Sequence, residues 1–188
     1  MRIRNQVRFS HGSGWARTVI SLAAFNVVWI VCVVERSGWG LFAVAWSLLP
    51  HFALVAADDR RGAARVLVAA AVLGTAADTV LERAGVLRFE GGPRLGPLCR
   101  LWITALWINF GATFHCCLAW TRRRPAFAAL LGAVMAPLSY ALAARMGAGD
   151  LEPRALPALA AAYAALTPLL AVLARPRTPS PSPRECAA

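Results

Sequence analysis

Asp78 and Glu82 stand four residues apart near the end of an apolar run, so on a helix both carboxylates face the same way. Glu82 and Arg83 fall where the run meets water, and Asp78 lies about one turn deeper. An ionisable group at that depth titrates, binds cargo or pairs with a loop arginine such as Arg88 or Arg100. Other apolar runs carry a second polar set: Asn26 with Trp29, His51 beside Pro50, Trp107 with Asn109, Thr113 with His115, Cys116 and Cys117, and Tyr140. Histidine changes charge near neutral pH, which suits proton relay or hydrogen bonding to a substrate; otherwise His51 simply satisfies a neighbouring carbonyl next to a proline kink. His51, His115 and a cysteine have the chemistry to hold a soft divalent ion. No ligand pair at i, i+4 supports it, so neither metal nor cofactor is expected. No G-x-S-x-G, H-E-x-x-H, P-loop or G-x-G-x-x-G motif occurs in a supporting context, which leaves catalytic residues unassigned and enzyme status open.

These groups need elements to hold them. The chain is 59% hydrophobic and only 15% charged, the balance of a polytopic membrane protein rather than of a soluble domain. Apolar runs at about 18–34, 38–57, 63–81, 102–120, 126–146 and 155–174 predict an all-α transmembrane helix bundle of about six spans. The run from Trp102 to Trp120 organises the rest, because it must turn Asn109, Thr113, His115, Cys116 and Cys117 toward other helices or a wet cavity. Arg2, Arg4, Arg8 and Arg17 precede the first run like a signal peptide's charged start. That run is long and lacks a small-x-small cleavage pattern, so it reads as an uncleaved helix. The expected organisation is a basic N-terminus (1–17), a six-helix domain (18–174) and a disordered Pro/Ser-rich tail (175–188). Residues 82–100 read as the longest loop, with Val86, Leu87 and Phe89 free to fold back over the bundle.

All 20 basic residues are arginines. With the N-terminus inside, Arg2, Arg4, Arg8, Arg17, Arg60, Arg61, Arg65, Arg122, Arg123, Arg124, Arg175, Arg177 and Arg184 are inner, and the other seven are outer. The positive-inside rule then places both termini in the cytoplasm. At about 1.5 Å per residue, Asn26, His51, His115 and Thr167 fall in the inner half, while Asp78, Tyr140 and Arg100 fall in the outer half or at its boundary. Asp78 and His115 are then on the order of 15 Å apart in depth and should not touch. The formal net charge of +11 does not imply a nucleic-acid partner, because the arginines punctuate apolar runs instead of forming a stripe. Membrane lipids are the expected partners, with a homo-oligomer or a membrane partner left open. The five cysteines show no paired C-x-x-C clusters and read as small buried hydrophobes. Trp29, Trp46 and Trp107 are candidates for an internal lining, since Trp39, Trp102 and Trp120 fall near span ends where interfacial tryptophans are common.

Asn26 with Trp29, Asp78 followed by Gly85, Leu87 and Phe89, Leu106-Trp107 with Phe110 and Thr113 leading to His115 and Leu118, and Gly132, Pro137, Ser139, Tyr140 with Gly147-Ala148 form a pattern across about residues 25–174. In these positions the chain resembles a family of bacterial inner-membrane proteins, domain of unknown function 2878. It departs from that pattern at Cys116, Cys117 and Ala136. The resemblance implies a multi-pass protein of the bacterial cytoplasmic membrane with no assigned activity. Members are often encoded near enzymes of fatty-acid modification and oxidative-stress response, which implies a lipid-related role by association. Three readings follow: a protein that binds or helps to modify acyl chains through a polar pocket of His115, His51 and Asn26, a small transporter or exporter using Asp78, or a structural or assembly subunit.

Overall fold

The computed structural model describes residues 14–55 and 59–176. Most of the basic N-terminal segment and of the Pro/Ser-rich tail, Cys186 included, therefore lies outside the described residues. Among the described residues the fold is six helices: α1 Gly14–Glu35, α2 Trp39–Leu54, α3 Arg60–Arg83, α4 Leu101–Thr113, α5 Pro125–Arg145 and α6 Ala155–Leu173. α1 (from Thr18), α3, α5 and α6 are long and apolar enough to cross a membrane, whereas α2 and α4 are shorter apolar helices. The outward faces match that reading. Trp39, Phe42, Trp46 and Leu49 line an exposed stripe on α2, and Leu130, Leu138 and Leu142 do so on α5, far more apolar surface than water tolerates. Trp46, read as a candidate for the internal lining, is 76% exposed and lines nothing internal.

α3 is the axle. Its buried residues Ala63, Val66, Leu67, Ala70, Gly74, Thr75, Asp78 and Thr79 recur at the spacing of one helical face, and that face packs on α4 and α6. α1 and α2 pack on each other and on α4, and α5 lies along α6. The contacts are made by small residues. A Cβ on Gly111 of α4 would approach Ala70 to 2.9 Å, and one on Gly132 of α5 would sit 2.2 Å from Thr167 Oγ1 of α6. Such residues let helix backbones come close where lipid supplies no hydrophobic drive.

The central run is not one helix. α4 ends at Thr113, and the chain then winds through turns to a 3-10 segment, Ala119–Arg123. Cys116 N–H bonds to Thr113 O at 3.0 Å and Thr121 N–H to Leu118 O at 3.0 Å, a tightened i+3 pattern. At the end of α4 the Phe110 carbonyl goes to a threonine hydroxyl, and Phe114 N–H turns to Gly111 O at 3.4 Å instead. Thr113 Oγ1 turns back on Phe110 O at 2.6 Å and Thr121 Oγ1 on Leu118 O at 2.7 Å, the local bonding that makes such residues poor in helix interiors. Hydropathy registers none of this, so the run reads as a full span.

Residues 82–100 are also more ordered than a loop. α3 closes on Gly85, whose φ of +69° suits glycine at a helix C-terminus. β1 (Leu87–Phe89) then pairs antiparallel with β2 (Gly149–Leu151), Leu87 facing Leu151 and Arg88 facing Asp150. Leu87 and Phe89 are buried with Arg88 exposed between them, the period of two that a ribbon lying on a bundle requires. Phe89 meets Trp102 edge-on at 5.8 Å. The rest of the connection is tied to the end of α3: Arg94 binds Glu82 at 2.8 Å, Arg83 donates to Pro97 O at 2.8 Å, and Cys99 N–H donates to Thr79 Oγ1 at 3.0 Å. Burial pushes the Cys99 thiol up to about 12. Thr79→Val would strand the buried Cys99 N–H. It should lower stability by about 1 kcal/mol and speed exchange of that amide, as hydrogen exchange in lipid nanodiscs would measure; unchanged exchange would mean that Thr79 does not hold the loop.

Candidate functional site

Asp78 sits on the inward face of α3 and is fully buried. It can be reached because Gly74, one turn earlier, leaves room for an indole: a Cβ there would stand 1.8 Å from Trp107 Cδ2. Trp107 of α4 fills that space and its Nε1–H donates to Asp78 Oδ2 at 2.7 Å. Tyr140 of α5 donates its hydroxyl to the same oxygen at 2.6 Å. The Tyr140 and Tyr163 hydroxyls are 2.8 Å apart, and with the Tyr140 proton directed to Asp78, Tyr163 of α6 is the donor between them. Its ring also stacks on Trp107 at 4.9 Å and 24°. Four helices thus converge on one carboxyl group, whose Oδ1 has no partner among the described residues. No ion pair to Asp78 exists among them. The sequence-based pairing with Arg88 or Arg100 is overturned: Arg100 Nη1 donates to Gly92 O at 2.9 Å, and Arg88 stands across the ribbon from Asp150. Glu82 is spent on Arg94 at the rim and does not join Asp78.

A cavity of about 260 Å³ runs inward from this cluster. Leu22, Phe25 and Trp29 of α1, Leu106, Trp107, Phe110 and Thr113 of α4, Leu131, Met135, Ser139 and Tyr140 of α5, and Tyr163 and Thr167 of α6 line it. Tyr140 lies nine positions after Leu131 on α5, so the cavity extends about 13 Å along the bundle. It is elongated and mostly apolar, near the lower end of the size range of ligand pockets. α1 and α5 share no extended contact, and the rim residues Leu22 and Met135 are each 50% exposed. The cavity therefore opens sideways between these two helices.

Of the residues singled out from sequence, Trp29, Asp78, Trp107, Thr113 and Tyr140 come together on this cavity. Asn109 lies behind it, donating to Phe25 O at 3.1 Å and tying α4 to α1. Asn26 is exposed and donates to Leu22 O of its own helix at 2.8 Å. His51 and His115 form a separate group, with rings perpendicular at 6.3 Å and Cys116 Sγ 3.5 Å from His51 Nδ1. Asn26, His51 and His115 therefore do not share one pocket, and the histidine pair lies apart from the Asp78 cavity. No three His, Cys, Asp or Glu side chains converge as metal ligands among the described residues. Tyr163 and Thr167 were not singled out as site residues. Tyr163 had a signal: the chain has only two tyrosines, both in apolar helices, and a buried phenol needs a partner.

Residues 18–169 match the family described as Protein of unknown function (DUF2878). No curated protein and no solved structure matches the chain.

Proposed function

Because this chain belongs to the DUF2878 family of proteins of unknown function, its own site has to carry the reading, and we propose that it takes a lipid chain from the bilayer into the cavity beneath Asp78. The observation behind this is the lateral mouth between α1 and α5, rimmed by Leu22 and Met135, which offers a hydrocarbon chain a path that never crosses water. The Asp78–Tyr140–Tyr163 cluster fixes the polar end of the occupant, in position to hold it or to assist its modification. We place the protein in the bacterial cytoplasmic membrane with both termini inside. The grouping of Arg60, Arg61, Arg122, Arg123, Arg124 and Arg175 at one end of the bundle supports that orientation. A transporter reading draws on the same unpartnered Asp78 oxygen and predicts a flux that Asp78→Asn abolishes.

The test is photo-crosslinking of the protein in phosphatidylcholine nanodiscs with an alkyl chain bearing a diazirine. Adducts should concentrate on the peptides carrying Phe25 and Met135 and should fall at least about fivefold in Ala136→Phe, which fills the cavity. Labelling spread evenly over the exposed face of α2, and indifferent to Ala136→Phe, would remove the cavity from consideration.

A further inference from the structure

The polar end of the cavity restricts what can be attached to the chain it holds. Asp78 Oδ2 already faces two donors, from Trp107 and Tyr140, and Oδ1 is buried without a partner among the described residues. Tyr163 directs its proton to Tyr140, so its oxygen faces any occupant only as an acceptor. Among the described residues no arginine or histidine lines the cavity, and the chain has no lysine. The remaining hydroxyl donors among the described residues are neutral: Ser139, and Thr167 about a turn further in, whose Oγ1 has no partner among them either. With Asp78 ionised, an anionic head would lose its hydration and meet a like charge. With Asp78 protonated, on Oδ1 or on Oδ2 with the two tyrosine hydroxyls reversed, the site adds one neutral donor to those of Ser139 and Thr167 and still holds no cation.

Resting on the reading of the cavity as a chain site, we infer that its occupant carries a hydroxyl or amine head against Asp78, and neither a carboxylate nor a phosphate. A hydroxyl both donates and accepts and so satisfies Oδ1 in either state. An amine supplies the positive charge that the ionised state lacks.

The experiment challenges the diazirine-alkyl label on the wild-type protein in phosphatidylcholine nanodiscs with dodecanol, dodecylamine or dodecanoate at equal mole fractions. Dodecanol or dodecylamine should displace the label at amounts at least about tenfold below dodecanoate, the size of one hydrogen bond to a charged group. In Asp78→Asn, whose amide supplies a donor where Oδ1 was, the preference should shrink, and the wild-type ranking decides the matter whether or not that variant folds. Dodecanoate displacing the label as well as the other two overturns the head-group inference while leaving chain binding intact. Displacement by none of the three overturns both.

Discussion

Asp78→Ala is expected to destabilise the protein by about 2 kcal/mol and to lower retention of a bound chain at least about tenfold. The substitution leaves Trp107 Nε1–H and the Tyr140 hydroxyl as buried donors facing one lost acceptor. A buried donor left unsatisfied costs about 1 to 3 kcal/mol. Interhelical hydrogen bonds in membranes average only about 0.6 kcal/mol because the separated helices find other partners, which keeps the expected total well below the sum of two full penalties. Asp78→Asn separates the components. Its amide oxygen can still accept from both donors, so most of the stability should return while head-group selectivity does not. Tryptophan-detected thermal unfolding in nanodiscs, run beside crosslinking, reads both quantities. If Asp78→Ala unfolds with the wild type, the cluster does not tie the four helices together.

Gly74→Ala should be comparably damaging, although helix propensity alone predicts a gain of about 1 kcal/mol. Packing decides the sign. The added methyl would lie 1.8 to 2.3 Å from three carbons of the Trp107 indole. Overpacking costs about 1 to 3 kcal/mol, and an indole pushed aside also gives up its bond to Asp78 and its stack on Tyr163. A net loss of about 2 kcal/mol follows, with a changed near-ultraviolet dichroism signal from the displaced ring. Gly38→Ala is the control, since nothing lies within 4 Å of that Cβ, and it should shift stability by less than about 0.5 kcal/mol. A Gly74→Ala protein with wild-type stability and dichroism would show that Trp107 has room elsewhere.

Much of the bundle is legible in the sequence because apolar runs report burial in lipid directly: the starts and ends of α3, α5 and α6 fall within a few residues of the runs that predict them. The end of α4 is not legible, because hydropathy is blind to a threonine hydroxyl taking a carbonyl from the helix. The ribbon is illegible for a different reason. Leu87 and Phe89 alternate over only three residues, and their partner strand lies some 60 positions away, at Gly149–Leu151. At the site, Asp78 stands out because a lone acid in an apolar run is rare, and Trp107 and Tyr140 stand out as aromatics with a polar tip. The convergence of these three with Tyr163 depends on Gly74 and on how four helices are rotated, which periodicity does not specify. The separation of the histidine pair from the cavity follows from the same rotations.

The short central helix also bears on the membrane. α4 has 13 residues and α2, packed against it, has 16, lengths of about 20 and 24 Å against a hydrocarbon core of about 30 Å. In a bilayer the shortfall would be felt at α2, whose outer face is exposed, while α5 and α6 match the full thickness. Of the two short helices, only α2 faces outward, through Trp39, Phe42, Trp46 and Leu49, while α4 has no exposed residue, so a bilayer around the bundle would adjust its thickness at α2 and not at α4.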